Sequence, residues 1–327
     1  MTAVNALWQA ALVLAGGLIV GLVYKGVDRK LAARMQGRIG PPLRQPFLDL
    51  GKLLVKESVV PRTAVPWLFN AAPLAALVGA ATALLYVPVG PFGPVLSGYG
   101  DVVLVLYLLA VPALAMALGG FAAGSPLAAV GAQREVVMMM AYEFPLAVVV
   151  VGLAWRLGVS PAFSLEALAA NPLWGQVGPL GVVGLALLLG ALLVVTPAEL
   201  SKIPFDIAEA ETEIAGGLFV EYSGVHLGLF YLADAIKTIV LAALVVALFV
   251  PYGIAAPLGL AGLAAQLLDL AFFFVKLLAV VLAAVTTVRV AFARFKVDQI
   301  ARGFWIPLTA TAVVGLLLLV LDKGVVG

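Results

Sequence analysis

There is no cysteine in these 327 residues and only one histidine, His226. The first absence excludes disulfides, thiolate-held zinc and cysteine-ligated iron–sulfur clusters within the chain. The second excludes a histidine cluster or a pair of haem ligands. Charge is scarce as well: Asp, Glu, Lys and Arg make up 11% of the residues, against 64% hydrophobic, and the net charge is only +2. With a mean hydropathy of +1.16, this is not the profile of a water-soluble domain but of a polytopic membrane protein. The first apolar run lacks a basic leader and a small-residue cleavage site, so it reads as a span and not as a removable signal.

What is present is a series of apolar runs. A membrane helix needs roughly 20 mostly apolar residues, and eight runs qualify, at about 5–27, 67–89, 101–121, 136–155, 178–197, 226–250, 262–288 and 304–321. The expected fold is all-α: one integral membrane domain over 1–327, with polar loops at 28–66 and 198–225 and no internal repeat. Eight spans put both termini on one side. The other side then receives fifteen Lys and Arg residues, while the side of the termini receives only Arg156 and Lys323. By the positive-inside rule the fifteen are cytoplasmic and both termini lie outside.

The first cytoplasmic loop contains QPFLDLGKLLVKESVV, with Phe47, Leu50, Leu54 and Val55 near one helical face. This predicts an amphipathic helix lying on the membrane surface or against a partner. Before it, Gly37, Gly40, Pro41 and Pro42 break any smooth helix. The outer loops are short and rich in glycine and proline, and 160–177 is expected to form a short interfacial helix.

The sharpest feature is ELSKIPFDIAEAETEIAGGLFVEYSG, Glu199 to Gly224. It holds six of the seventeen acidic residues and a single base, Lys202. Asp206, Glu209 and Glu213 are spaced i, i+3, i+7. A helix begun near Pro204 and ended by Gly216-Gly217 puts them on one face with Glu211 opposite. Carboxylates that close titrate as a coupled set. The stretch is then either a proton relay or a solvated acidic loop.

Five ionisable residues fall within spans or near their ends: Glu143, Asp234, Lys237, Asp269 and Lys276. Each costs roughly 2.5–3.5 kcal/mol at a helix centre and needs a partner or water. Asp234 and Lys237, at i, i+3, can pair with each other. Asp269 and Lys276 are two turns apart on one face and can border one polar channel. Glu143 has no partner in its own helix and precedes Pro145, which opens the local backbone bonding.

These segments resemble one family. RMQGRIGPP and QPFLDLGKLLVKE, then GSPLAAVGAQREVVMMMAYEFPL, then the acidic stretch, occur in the order found in the membrane subunit shared by respiratory complex I (there called the H subunit) and the membrane-bound, energy-converting nickel–iron hydrogenases. The phrase RIGPPLRQPF, where complex I usually reads GPNR, and the segment Gly124–Glu135 favour the hydrogenase branch. The resemblance implies a subunit in the cytoplasmic membrane of a prokaryote that docks a redox arm and carries a chain of carboxylates. It matches Glu143, Asp206, Glu209, Glu211, Glu213 and Glu221 to that acidic pattern, and Arg34, Arg38 and Arg134 to basic positions facing the arm. It implies a hydrogenase-type large subunit and iron–sulfur subunits as partners, carrying the nickel–iron and iron–sulfur centres. It also implies antiporter-like membrane subunits, and neither a cofactor in this chain nor a nucleic-acid partner. The coupled ion stays open between proton and sodium. The alternatives are the complex I subunit proper, with a quinone at the cytoplasmic membrane face, a stand-alone secondary transporter, and a passive anchor.

Overall fold

In hydrocarbon a backbone must satisfy its own hydrogen bonds, which a helix does within one segment. The computed structural model describes residues 3–158 and 163–326, and no β-strand occurs among the described residues. Eight helical segments are long and apolar enough to cross a membrane. The protein is a multi-pass, all-α membrane protein.

Helix α1 (Ala3–Met35) is 33 residues long, about 50 Å at ~1.5 Å per residue. Its basic C-terminal part therefore runs past a hydrocarbon layer of about 30 Å. It stops in a Schellman turn: Arg38 N donates to Ala33 O at 2.8 Å, Gly37 N to Arg34 O at 3.0 Å, and Gly37 takes a φ of +72°. The chain then folds back along α1. A Cβ on Gly26 would lie 2.4 Å from the Leu43 carbonyl oxygen, so that approach requires glycine. The expected amphipathic helix follows as α2 (Gln45–Val55). Pro46 is buried, Leu50 and Leu53 approach Gly228, and Phe47, Leu48, Leu54 and Val55 stay exposed.

Helices α3 (Pro66–Tyr86) and α4 (Val102–Ala122) pack closely where Gly79 meets Val111. Helix α5 (Pro126–Leu157) begins well before the apolar run at 136–155. The hydropathy window missed its first turns because the acidic stretch, not lipid, covers them: Ala128, Gly131, Ala132 and Glu135 are buried, and a Cβ on Gly131 would meet Leu218 N at 2.6 Å. Arg134 and Glu135 consequently lie within a helix and not in a loop. A short helix, α6 (Leu165–Ala170), forms inside the 160–177 segment, whose residues 160–162 lie outside the described residues.

Helix α7 (Pro179–Glu199) leads into the acidic stretch, which contains the single-turn α8 (Glu211–Ile214). Helix α9 (Gly224–Phe249) is the axis of the bundle: every residue from Lys237 to Phe249 is buried, and from Ile239 onward every one is apolar. The last two spans are each broken by a π-helical stretch. Helix α10 (Gly262–Val280) passes through Val281–Thr286 into α11 (Thr287–Ala291), and α12 (Val297–Gly303) through Phe304–Leu308 into α13 (Thr309–Val326). Threonines take up carbonyls at these breaks, with Thr287 Oγ1 donating to Leu282 O at 2.8 Å and Thr309 Oγ1 to Phe304 O at 2.9 Å.

At the end of the bundle that holds Arg156 and Lys323, Asp322 ties three spans together. It accepts from Gly178 N at 3.1 Å and Gly181 N at 3.0 Å, capping α7, and lies 3.4 Å from Arg156 of α5.

Candidate functional site

The acidic stretch does not form the helix its spacing suggested. After α7 the chain turns at Ser201 (φ +48°), makes one 3₁₀ turn over Ile207–Glu209, extends at Ala210, and only then enters α8. Two forces outweigh local helical preference. Ile207, Ala208 and Ala210 are buried, and the backbone here is tight enough that a Cβ on Gly217 would lie 2.1 Å from Ala208 O. The acids are also drawn to different partners. Arg294 grips Asp206 in a fork, Nε to Oδ1 at 2.8 Å and NH2 to Oδ2 at 2.5 Å. Arg134 holds Glu213 at 2.6 Å and the Ile207 carbonyl at 3.2 Å. Asp206, Glu209 and Glu213 thus share no helical face. The expected stop does occur, with Ala215, Gly216 and Gly217 all at positive φ.

Asp234 and Lys237 do not pair with each other either. Asp234 Oδ2 meets two ammonium groups, Lys25 at 2.6 Å and Lys202 at 2.7 Å. Lys25 is further held by the Tyr231 carbonyl at 2.9 Å, and its ammonium lies 3.8 Å from the centre of the Tyr231 ring. Lys237 stands 2.8 Å from Glu199 Oε1 and donates to the Glu199 carbonyl, also at 2.8 Å. On an exposed helix an i, i+3 pair is enough. Inside this bundle Asp234 and Lys237 each find an opposite charge on another segment instead.

These groups surround a cavity of about 390 Å³. Five carboxylates line it, Asp28, Glu199, Asp206, Glu209 and Asp234, and five bases, Lys25, Arg29, Lys202, Lys237 and Arg289. Asp28 accepts from Thr286 Oγ1 at 2.7 Å and Arg289 at 2.9 Å. Arg29 reaches out of the cavity to Asp49 of α2 at 2.8 Å. Burial pushes the Glu209 carboxyl up to about 7. The charges of Asp234, Glu135 and Asp206 add to that rise, and Lys202 opposes it. Burial works against the Lys202 ammonium, but Asp234 and Glu209 outweigh it and hold its pKa above the ordinary lysine value.

Beside the cavity lies a second buried polar group. Glu135 is 1% exposed, and Ser201 Oγ is 3.4 Å from both its carboxylate oxygens. Tyr142 is buried with no hydrogen-bond partner for its hydroxyl among the described residues. Half-buried Glu143 follows it on α5, within electrostatic reach of Glu199 and Lys237.

The structure therefore brings together Asp206, Glu209, Asp234 and Lys237 around one cavity, with Glu143 within electrostatic reach of the Glu199–Lys237 pair that lines it. It does not bring in Asp269 and Lys276. These pin the 250–255 turn: Asp269 Oδ1 accepts from Ile254 N at 2.8 Å and Ala255 N at 2.9 Å, and Lys276 donates to Val250 O and Tyr252 O at 2.8 Å each. They border a separate cavity of about 320 Å³. Glu211 is exposed and Glu221 half-buried. Arg34 and Arg38 are exposed, whereas Arg134 is engaged with Glu213. Sequence reasoning passed over Lys25, Asp28, Glu135, Glu199, Lys202, Arg289 and Arg294. The available signal was charge inside or abutting apolar runs: Lys25 closes the first run, and Glu135 and Tyr142 are seven residues apart on one helical face.

A family model described as NADH dehydrogenase matches residues 8–320, nearly the whole chain. The chain belongs to the NADH dehydrogenase family. Within that family it is 35% identical to Hydrogenase-4 component C of Escherichia coli (strain K12), over 257 residues covering 76% of this chain and 77% of that one. It is 34% identical to the NADH-quinone oxidoreductase H subunit of Thermomicrobium roseum, covering 85% and 84%. Among solved structures, a chain of the membrane-bound sulfane sulfur reductase, an archaeal respiratory membrane complex, superposes with a TM-score of 0.84 at 30% identity, covering 96% and 99%. Both branches named by the sequence resemblance are thus represented among the NADH dehydrogenase relatives. The stretch Glu199–Gly224, which carried much of that resemblance, supplies Glu199, Lys202, Asp206 and Glu209 to the cavity.

Proposed function

We propose that this chain is the ion-translocating membrane subunit of an energy-converting, hydrogenase-type complex, and that its basic loops anchor the redox arm. The observation that carries the reading is the cavity where five carboxylates meet five bases inside a membrane bundle. Charges so placed are expensive unless they are paired or hydrated. Pairing that only fixes the helices accounts for most of them but leaves Glu209 without an ion pair among the described residues. Glu209, with its carboxyl held near neutrality, gains and loses a proton within the working range, as a relay group must. A docked redox partner changes charge near the loop. Glu209 then exchanges its proton, and the altered field acts on Asp234, on the Glu199–Lys237 pair and on Glu135 and Glu143 beyond them.

The apolar stretch Ile239–Phe249 offers no polar step towards the far end of α9. The path therefore leaves sideways through α5, at Glu143, into a neighbouring membrane subunit of the antiporter-like kind. Arg34 and Arg38, exposed around the Schellman turn, face the redox arm. The excess of Lys and Arg at that end supports the reading that it is cytoplasmic, with both termini outside a prokaryotic cytoplasmic membrane. The nickel–iron and iron–sulfur centres belong to the partner subunits.

Some relatives are named as quinone reductase subunits. A quinone pocket is mostly apolar with a few placed polar groups; the ten ionisable side chains around this cavity of about 390 Å³ are what favours the ion-relay reading. The test is Glu209→Gln in the intact complex, with ion uptake by inverted vesicles measured per electron transferred. Uptake should collapse while the complex assembles. Wild-type uptake per electron would return the stretch to a solvated loop.

A further inference from the structure

Pairing around the cavity leaves two groups over. Asp28 is matched by Arg289, Asp206 by Arg294 and Glu199 by Lys237. Asp234 has two lysines on the same oxygen, Oδ2. Of the five cavity carboxylates only Glu209 has no ion pair among the described residues, and Lys202 is the strongest counter-charge acting on it. The site thus holds one surplus cation and one unmatched acid.

The two lysines on Asp234 are not equivalent. Lys25 has second anchors, the Tyr231 carbonyl and ring, and its side chain is 9% exposed. The Lys202 side chain has no hydrogen bond besides that to Asp234 among the described residues and is 29% exposed. Its backbone is fixed at both ends, Lys202 N to Pro197 O at 2.9 Å and Phe205 N to Lys202 O at 2.6 Å. Only its side chain is free to move.

We propose that Lys202 is a two-position switch, bound to Asp234 when Glu209 is protonated and to Glu209 when Glu209 is ionised, with Lys25 holding Asp234 neutralised in its absence. This rests on the relay reading above and adds to it the element that converts a proton at Glu209 into a displaced charge. The other charged groups around the cavity are already committed: Asp206 to Arg294, Asp28 to Arg289, Arg29 to Asp49 and Lys237 to Glu199. Glu135, on α5, is itself an acid, held by Ser201 Oγ, and offers Glu209 no counter-charge.

The experiment is an infrared pH titration of the purified complex, following the protonated carboxyl band that disappears in Glu209→Gln. Lys202→Met should raise its midpoint by about one pH unit or more, because the charge that favours ionised Glu209 is gone. Lys25→Met is the decisive variant. Lys25 is not among the leading charges acting on Glu209, so its own field should move the midpoint only slightly, yet removing it locks Lys202 onto Asp234, so the midpoint should rise nearly as far as in Lys202→Met. Lys25→Arg should restore it. If Lys25→Met does not assemble, Lys25→Gln gives the same readout. A midpoint unchanged from wild type in the Lys25 variants overturns the switch. If the switch fails while Glu209→Gln still abolishes ion uptake, the relay stands without it. If Glu209→Gln leaves uptake intact, the relay reading itself is wrong.

Discussion

Replacing Lys237 by methionine removes the base beside Glu199, a pair whose side chains are 3% and 2% exposed. Removing one partner of such a pair costs roughly 3–5 kcal/mol, because the other charge is left buried and unmatched. Glu199 can limit that cost by taking up a proton. An ordinary glutamate titrates at about 4.3, so holding one neutral at pH 7 costs about 3.7 kcal/mol. The expected loss for Lys237→Met is therefore about 3–4 kcal/mol. The double variant Lys237→Met/Glu199→Gln leaves no unmatched charge and should lose less than about half of that, since a buried pair replaced by neutral groups of similar size is often near-neutral in stability. A double-mutant cycle on the purified complex, unfolded with a graded denaturing detergent, measures this directly. If the single variant is no less stable than the double, Glu199 and Lys237 are not a matched buried pair and the network has been misread.

Four further outcomes can be measured on the same protein. The Glu209 carboxyl is raised from 4.5 to about 7 in the folded chain, so its contribution to stability is complete below about 4.5 and lost as pH rises through about 7. Hydrogen exchange of loop 200–223, compared with Glu209→Gln at each pH, should show roughly thirtyfold easier opening at pH 8 than at pH 5.5. Charge reversal at Arg34 and Arg38 should detach the soluble arm on native gels while the chain still inserts. Reversal at Arg134 should instead release Glu213 and expose the loop to protease, because that arginine is already engaged. A reporter fused after Gly327 should respond outside the cytoplasm, and a cytoplasmic signal would contradict the orientation.

The eight spans and α2 were legible because apolar periodicity is a local property, and lipid-facing or interfacial helices follow it. The start of α5 was not, because its first turns are buried by protein and carry Arg134 and Glu135 in place of an apolar run. The chemistry of the stretch 199–224 was visible in its composition, but its shape was not. The i, i+3, i+7 spacing presumed a helix, and arginines about eighty residues away in either direction, Arg134 and Arg294, dismantled it by taking Glu213 and Asp206. The same holds for Asp234, whose partners Lys25 and Lys202 lie on other segments. Spacing along one helix suggested Lys237, and long-range neutralisation in a low-dielectric interior decided otherwise. Asp269 and Lys276 shared a face as expected, but at the wrong end of the bundle.

On the proposed function the buried charges conduct ions and do more than hold helices together. The variant Lys237→Met/Glu199→Gln separates the two roles, since it removes a pair without leaving an uncompensated charge. The measurement is ion uptake and electron transfer by inverted vesicles, both taken on the same preparation. A conducting network predicts an assembled complex that transfers electrons but takes up few or no ions per electron. Uptake at the wild-type ratio in that variant would contradict it.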